Sequence, residues 1–210
     1  RVSLTMALAR GVNEDELPIT ELTVLRPVNP YAVTKIAQDL IGYVYYKSYG
    51  SKVIRTRAFN HEGPRRDNVF GISSYAYQIA RIEAQQQAPV VEVGHLDDRR
   101  NFTHIRDMVE AYWLAMERCE PGELYLIGTE MEGNIHTFRE ALEDLMKMST
   151  VSGIAVKTKR EYVRPTNVPR LIGDTRRFEE LTGWRAKTPY RQILSDTLDY
   201  WRQFVRDGLY

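Results

Sequence analysis

The sequence predicts an α/β fold organised around a largely parallel sheet. Two observations carry that prediction. From Tyr31 to the C-terminus, stretches with helical periodicity alternate with short runs rich in β-branched residues. The junctions between them hold the residues that start and stop helices. With 210 residues, 43% of them apolar, the chain is long enough to bury a real core.

Residues 12–30 contain three prolines and an acidic cluster, and are expected to form a surface loop. Tyr31 to Tyr49 is predicted helical, with Ala32, Ile36, Leu40 and Val44 on one stripe and Gly50 as its stop. SKVIRTRAF is expected as a buried strand ending near Phe59, followed by the polar loop NHEGPRRDN. A helix over about 71–86, the short strand PVVEV and a loop GHLDDRRN come next. HIRDMVEAYWLAMERC is strongly amphipathic, and ELYLIG is strand-like. Thr137 and Glu140 have the spacing of a capping box for the helix FREALEDLMKM. IAVKTK reads as a strand and REYVRPTNVP as a loop. Asp174 is the expected N-cap of TRRFEELTG, and Thr188-Pro189 opens a last helix to about Val205, with proline in its first turn. Trp113, Trp184 and Trp201 are expected in the core.

Composition narrows the function classes. Twenty-nine basic against 28 acidic residues give no global attraction to nucleic acid or an anionic membrane. No apolar run approaches the roughly 18 residues a membrane helix requires. One cysteine, Cys119, rules out an internal disulfide framework and suits a reducing cytoplasm, the expected location. None of the 13 glycines lies two residues from another, so the GxGxxG turn that cradles a dinucleotide is absent. HExxH, GxSxG and metal-like histidine spacing are absent as well.

The pattern that can carry chemistry is Pro30-Tyr31-Ala-Val-Thr-Lys35. On a helix, Tyr31 and Lys35 share a face, and an ammonium beside a phenol favours the phenolate, whose ordinary pKa is about 10. Such a tyrosine can exchange a proton with a sugar hydroxyl or ketone. Taken alone, the same spacing also describes an ordinary exposed helix pair.

The segments PVNPYAVTKIAQDL, VIRTRAFNHEGPRR, RRNFTHIRDMVEAYW and YVRPTNVPRLIGDTRRFEELTGW resemble, in order, the extended short-chain dehydrogenase/reductase family. Within it they are most similar to GDP-mannose 4,6-dehydratases and GDP-4-keto-6-deoxymannose reductases. The resemblance runs from about residue 11 to the C-terminus. It implies a partial Rossmann-like parallel sheet plus the smaller C-terminal substrate-binding region. Residues 1–60 would be the C-terminal part of the dinucleotide-binding domain. Residues 61–210 would be mainly the nucleotide-sugar region, interleaved with the last Rossmann elements.

The resemblance also implies roles and partners. Tyr31 would be the acid/base, and Lys35 would tune it and hold the nicotinamide ribose of NADP or NAD. Asn60 would touch substrate phosphates or the cofactor's edge. Arg100 would clamp the diphosphate of a GDP-sugar, and Arg164 would be a second phosphate contact. Plainer roles stand beside these: Asn60 as a turn cap, Arg100 as the partner of Asp97, Asp98 or Asp107, Arg164 as a solvated loop charge. Arg65 and Arg66 would either reach a neighbouring subunit's cofactor or form a solvated pair, and His61 would be structural. A homodimer or higher homo-oligomer is expected through the tyrosine-rich helix, with no nucleic acid or membrane partner.

Departures from the family pattern cluster at the start. If Gly11 closes the Ser/Thr-Ser-Glu-x-Tyr-Gly segment, Met6 or Ala7 stands at the hydroxyl position and Leu8 at the glutamate. His95 and Asn101 replace an asparagine and an aspartate. Three functions follow: GDP-mannose 4,6-dehydration, with the chain an incomplete fragment; reduction of the 4-keto sugar; or non-catalytic nucleotide-sugar binding or scaffolding. FNHEGPRR leans toward the first, and Leu8 leans against it.

Overall fold

Asn29 and Pro30 open the first helix. The Asn29 side chain accepts from the Ala32 amide at 2.8 Å, and Pro30 sits where a missing N–H is harmless. Gly50 closes it with φ of +63°, a left-handed turn that costs glycine nothing. These details come from a computed structural model, which describes residues 2–6, 16–163 and 168–208.

Along the chain the elements are β1 (Val2–Met6), α1 (Pro30–Tyr49), β2 (Ile54–Ala58), β3 (His61–Glu62), α2 (Gly71–Glu83), β4 (Val90–Val93), β5 (Arg99–Asn101) and β6 (Thr103–His104). Then come α3 (Ile105–Arg118), β7 (Leu124–Ile127), β8 (Ile135–Thr137), α4 (Phe138–Lys147), β9 (Ala155–Thr158), β10 (Arg170–Leu171), α5 (Arg176–Thr182) and α6 (Tyr190–Arg206). The principal sheet has the order β1-β2-β7, all parallel, with Val2 opposite Ile54 and Arg55 opposite Leu124. Of the smaller pairings, β3–β6, β4–β9 and β10–β5 are parallel, and β5–β8 is antiparallel. The expectation of a largely parallel α/β fold therefore holds.

The two faces of β2 have different partners, as alternation along a strand requires. Ile54 and Ala58 pack with Tyr125 and Ile127 of β7 against Met108, Ala111 and Ala115 of α3, and α5 adds Phe178. Arg55 and Arg57 point to the other side, where α1 lies. A separate core joins α2, α4 and α6 over β4, with Ile79, Leu145 and Leu198 fully buried. Phe59 and Leu126 form a third cluster with Leu171. Gly173 must be glycine there, because a Cβ would come within 1.9 Å of the Phe59 ring.

Several expectations need adjustment. The capping box of α4 is present as expected: Thr137 Oγ1 accepts from the Glu140 amide at 3.1 Å, and Glu140 accepts from the Thr137 amide at 2.7 Å. Of the apolar stripe on α1, Ala32 is buried and Ile36 half-buried, whereas Leu40 and Val44 are half exposed; Asp39 and Gly42 are the other buried positions. Trp184 and Trp201 are core residues, but Trp113 is 60% exposed on the outer face of α3. Thr175 rather than Asp174 is the N-cap of α5; the Asp174 carboxylate instead accepts from the Arg176 amide and pairs with its guanidinium. Pro189 is the N-cap of α6, one position before its first turn. The segment expected to be a loop before Asn101 includes β5, which pairs on both sides with β8 and β10.

Candidate active site

In a parallel sheet with helical crossovers, each helix starts near the carboxyl end of the strand before it. Ligands bind at that end in open α/β sheets. Here α1 is the next described α-helix after β1, so Tyr31, in its first turn, lies toward the carboxyl edge. Asn60 follows the end of β2 by two residues, and Thr129 follows the end of β7 by two. Three segments thus share one edge of the sheet, two of them carrying the candidate groups Tyr31 and Asn60.

Tyr31 is 51% exposed, and the Lys35 ammonium lies 5.5 Å from the centroid of its ring. Lys35 Nζ also donates to Gln38 Oε1 at 3.3 Å, and Thr34 Oγ1 donates to the Tyr31 carbonyl at 2.8 Å. The helix therefore brings the two groups together as their spacing predicts. Asn60 is half-buried, and its carbonyl accepts from the Thr103 amide at 3.0 Å, fastening the turn after β2 to β6.

Arg100 is nearly buried and is held by protein groups. Its guanidinium donates to the Arg99 carbonyl at 2.8 Å and to the Pro169 carbonyl at 3.4 Å, and pairs with Asp98 Oδ2 at 3.3 Å. Of its three candidate acidic partners, Asp98 is the one bonded. Asn101, in place of an aspartate, donates from Nδ2 to the Thr129 carbonyl at 3.0 Å and ties β5 to the end of β7. Arg164, Gly11 and the aligned Leu8 lie outside the described residues. His61 is structural as expected: its Nδ1 bonds the Phe59 carbonyl at 3.0 Å, and burial lowers its pKa. Arg65 and Arg66 diverge: Arg65 is exposed, whereas Arg66 turns inward over the Phe70 ring, 4.0 Å from its centroid.

Two further charged groups are buried beside these residues: Asp39, which the sequence did not single out, and Glu62, a carboxylate the sequence offers near the sugar C5. Asp39, one turn beyond Lys35 on α1, is 1% exposed and accepts from Arg57 Nε at 3.0 Å and Nη2 at 2.5 Å, and from Arg55 Nη1 at 3.2 Å. A lone aspartate in an apolar helix, opposite a strand with arginines at alternate positions, is the signal that could have revealed it. Glu62, two residues after Asn60, is 2% exposed. Its Oε2 lies 3.3 Å from Arg66 Nε without hydrogen-bond geometry. Burial pushes its pKa up to about 7, and Arg66 opposes the shift only in part. Burial also raises the pKa of Tyr75, with Asp98 and Glu62 adding to the effect.

A cavity of about 390 Å³ lies beyond β7, lined among others by Thr129, Glu130, Arg176 and Glu179, and of the described site residues neither Tyr31, Lys35, Asn60 nor Arg100 lines it. No cluster of metal-ligating side chains occurs among the described residues, and none of their helices is long and apolar enough to cross a membrane.

A parallel sheet whose first crossover helix carries Tyr-x-x-x-Lys at the carboxyl edge defines part of an extended short-chain dehydrogenase/reductase fold. More narrowly, the chain belongs to the GDP-mannose 4,6 dehydratase family, whose sequence profile matches residues 11–197. It is 32% identical over 196 residues to the GDP-6-deoxy-D-mannose reductase of Pseudomonas aeruginosa, covering 93% of this chain and 63% of that protein. It is 27% identical to the GDP-mannose 4,6 dehydratase of Dictyostelium discoideum, covering 92% and 58% respectively. The chain thus spans roughly three-fifths of these relatives' length. Among solved structures, RMD from Pseudomonas aeruginosa complexed with NADPH superposes with a TM-score of 0.84 at 30% identity, over 94% of this chain and 65% of that one. The UDP-glucose 4-epimerase of Thermus thermophilus, complexed with NAD, gives 0.76 at 25% identity, over 96% and 63%.

Proposed function

We propose that the chain carries the acid–base portion of an NAD(P)-dependent enzyme acting at C4 of a GDP-hexose, of the GDP-mannose 4,6-dehydratase type. The observation that carries this reading is the Tyr31–Lys35 pair, half exposed at the carboxyl edge of a parallel sheet, in a chain of this family. Tyr31 moves the proton of the sugar O4, and Lys35 offsets the charge on the phenolate and binds the nicotinamide ribose. Bound NADP or NAD supplies the hydride acceptor or donor at C4. The pair fits the ribose and nicotinamide end of that cofactor, whereas the 210 residues include no glycine turn for its pyrophosphate. Residues 1–60 belong to the dinucleotide-binding unit and residues 61–210 mainly to the substrate region, with β7 returning to the first sheet. Asn60 orients substrate at the sheet edge, and Arg100 and Arg164 hold the diphosphate. For Arg100 this requires one of its protein-bonded N–H groups to turn to phosphate.

Reduction of the 4-keto-6-deoxy sugar is the second reading, and the likeness to the Pseudomonas reductase in both sequence and structure supports it. A homodimer through the outer face of α1 accompanies either activity, since Leu40, Ile41, Val44 and Tyr45 are each about half exposed there. A monomeric mass by light scattering would exclude the dimer.

The functional test is incubation with GDP-mannose and NADP or NAD, and with the 4-keto-6-deoxy sugar and NADPH. Formation of the keto sugar assigns dehydration, and its consumption assigns reduction. The 210-residue chain alone is expected to bind GDP-sugar by calorimetry without turning it over. Failure to bind GDP-sugar would overturn the assignment.

A further inference from the structure

We infer that Asp39 is a positioning residue for the Tyr31–Lys35 pair, acting through its buried clamp on Arg55 and Arg57. The inference rests on the acid–base reading of Tyr31.

The helix that carries the pair is weakly anchored by apolar groups. Its buried positions are Ala32, Asp39 and Gly42, and two of these have almost no side chain to bury. Of its larger apolar residues, Ile36 is half-buried, and Val33, Leu40, Ile41 and Val44 are all about half exposed. Apolar contact of this kind resists sliding or rolling of a helix on its sheet only weakly, because small residues offer few interlocking side chains.

Asp39 supplies the missing interlock. Its carboxylate receives Arg57 Nε and Nη2 on one oxygen and Arg55 Nη1 on the other. The three bonds come from two residues on one face of β2, so they resist rotation of α1 as well as translation along it. Arg55 is itself held by the Gly122 carbonyl at 3.2 Å and by the face of the Tyr43 ring, 5.0 Å away. Side-chain exposures of 1% for Asp39, 8% for Arg57 and 15% for Arg55 remove the groups from the screening that weakens surface pairs.

The clamp also joins the right pieces. Asp39 is four residues after Lys35, on the same side of α1. Arg57 is three residues before Asn60, on the strand that delivers it. One carboxylate therefore fixes the relation between the helix carrying the acid–base pair and the strand leading to the candidate substrate contact.

The test uses a double-mutant cycle in the protein that turns over the sugar nucleotide. Asp39→Glu, which keeps the charge but displaces it, and Asp39→Asn should each lower kcat by about 10-fold or more, with KM for the GDP-sugar within about 2-fold. Arg55→Gln should do the same to a smaller degree, since Arg57 still grips Asp39. In a Tyr31→Phe background the further loss from Asp39→Asn should vanish, because a misplaced phenylalanine loses nothing. Equal losses in both backgrounds would make Asp39 merely structural, and a kcat unchanged in Asp39→Asn would overturn the inference outright. Amide exchange of the 210-residue chain provides a second measurement that does not require turnover. Asp39→Asn should raise exchange in residues 31–42 while α2 and α6 keep their protection; unchanged exchange in α1 would equally refute the clamp. Full activity of Tyr31→Phe would instead show that the parent reading is at fault.

Discussion

Replacing Glu62 by glutamine should make the protein more stable at neutral pH and leave it nearly unchanged in acid. Glu62 lies 2% exposed in β3, and two effects compete for its proton. Arg66, with Nε 3.3 Å from Oε2, favours the carboxylate. Desolvation favours the neutral acid and wins, because that contact has no hydrogen-bond geometry to offset the lost water. The folded pKa rises from 4.5 to about 7. Between those values the native state therefore binds more protons than the unfolded chain, and stability falls as pH rises. A shift of this size corresponds to about 3 kcal/mol, lost progressively from the lower value to the upper and fully lost above it. Glutamine cannot ionise, so the stability of Glu62→Gln minus that of the parent isolates the effect from every other titrating group. Urea unfolding followed by the fluorescence of the buried Trp184 and Trp201, at pH 4, 5.5, 7 and 8.5, measures it. The difference should be small at the lowest pH, grow to about 3 kcal/mol, and level off above neutrality. A pH-independent difference would refute the reasoning, and one of opposite sign would mean that Arg66 outweighs burial.

Further expectations are simpler. Tyr31→Phe should reduce turnover by about 10²-fold with little change in the melting temperature, and activity within a few-fold of the parent would remove Tyr31 from the mechanism. Arg100→Ala should weaken GDP binding by calorimetry by about 1.5–3 kcal/mol, whereas equal affinity would leave Arg100 a purely structural role in its contacts with protein groups such as Asp98 and the Arg99 and Pro169 carbonyls. Thr137→Ala should destabilise the fold by about 1 kcal/mol in chemical denaturation by removing one half of the α4 capping box, and no change would mean the cap is replaced by water.

What the sequence made legible, and what it hid, follows from the range of the interactions involved. The α4 cap is local: Thr137 and Glu140 meet within one turn, so their spacing was enough. The Tyr31–Lys35 pair is equally local. By contrast, periodicity tells which side of a helix is apolar and not whether anything covers it. Trp113, expected inside, therefore stands outside, and Leu40 and Val44 on the apolar stripe of α1 are half exposed. Asp39 is easily overlooked for the converse reason: an isolated aspartate reads as solvated, and its one signal, the alternate arginines of β2, acquires meaning only when the fold brings Arg55 and Arg57 to it. Arg100 belongs to both kinds, because Asp98 lies two residues away in sequence but the Pro169 carbonyl reaches it only in the fold.

The register of the principal sheet bears on how the chain folds. Pairing β2 with β7 brings residue 55 beside residue 124, and everything between, from Phe59 to Glu123, is closed into one long loop when that pairing forms. Within the loop, α2 and α3 need mainly local contacts to form, whereas the sheet must await closure and bear its entropy. Refolding should therefore show helical signal recovering ahead of the burial of Tyr125 and Ile127, whose partner strand arrives from far along the chain. Until then the apolar faces of β2 and α3 lack the cover of β7, which makes the half-assembled sheet the state most exposed to self-association.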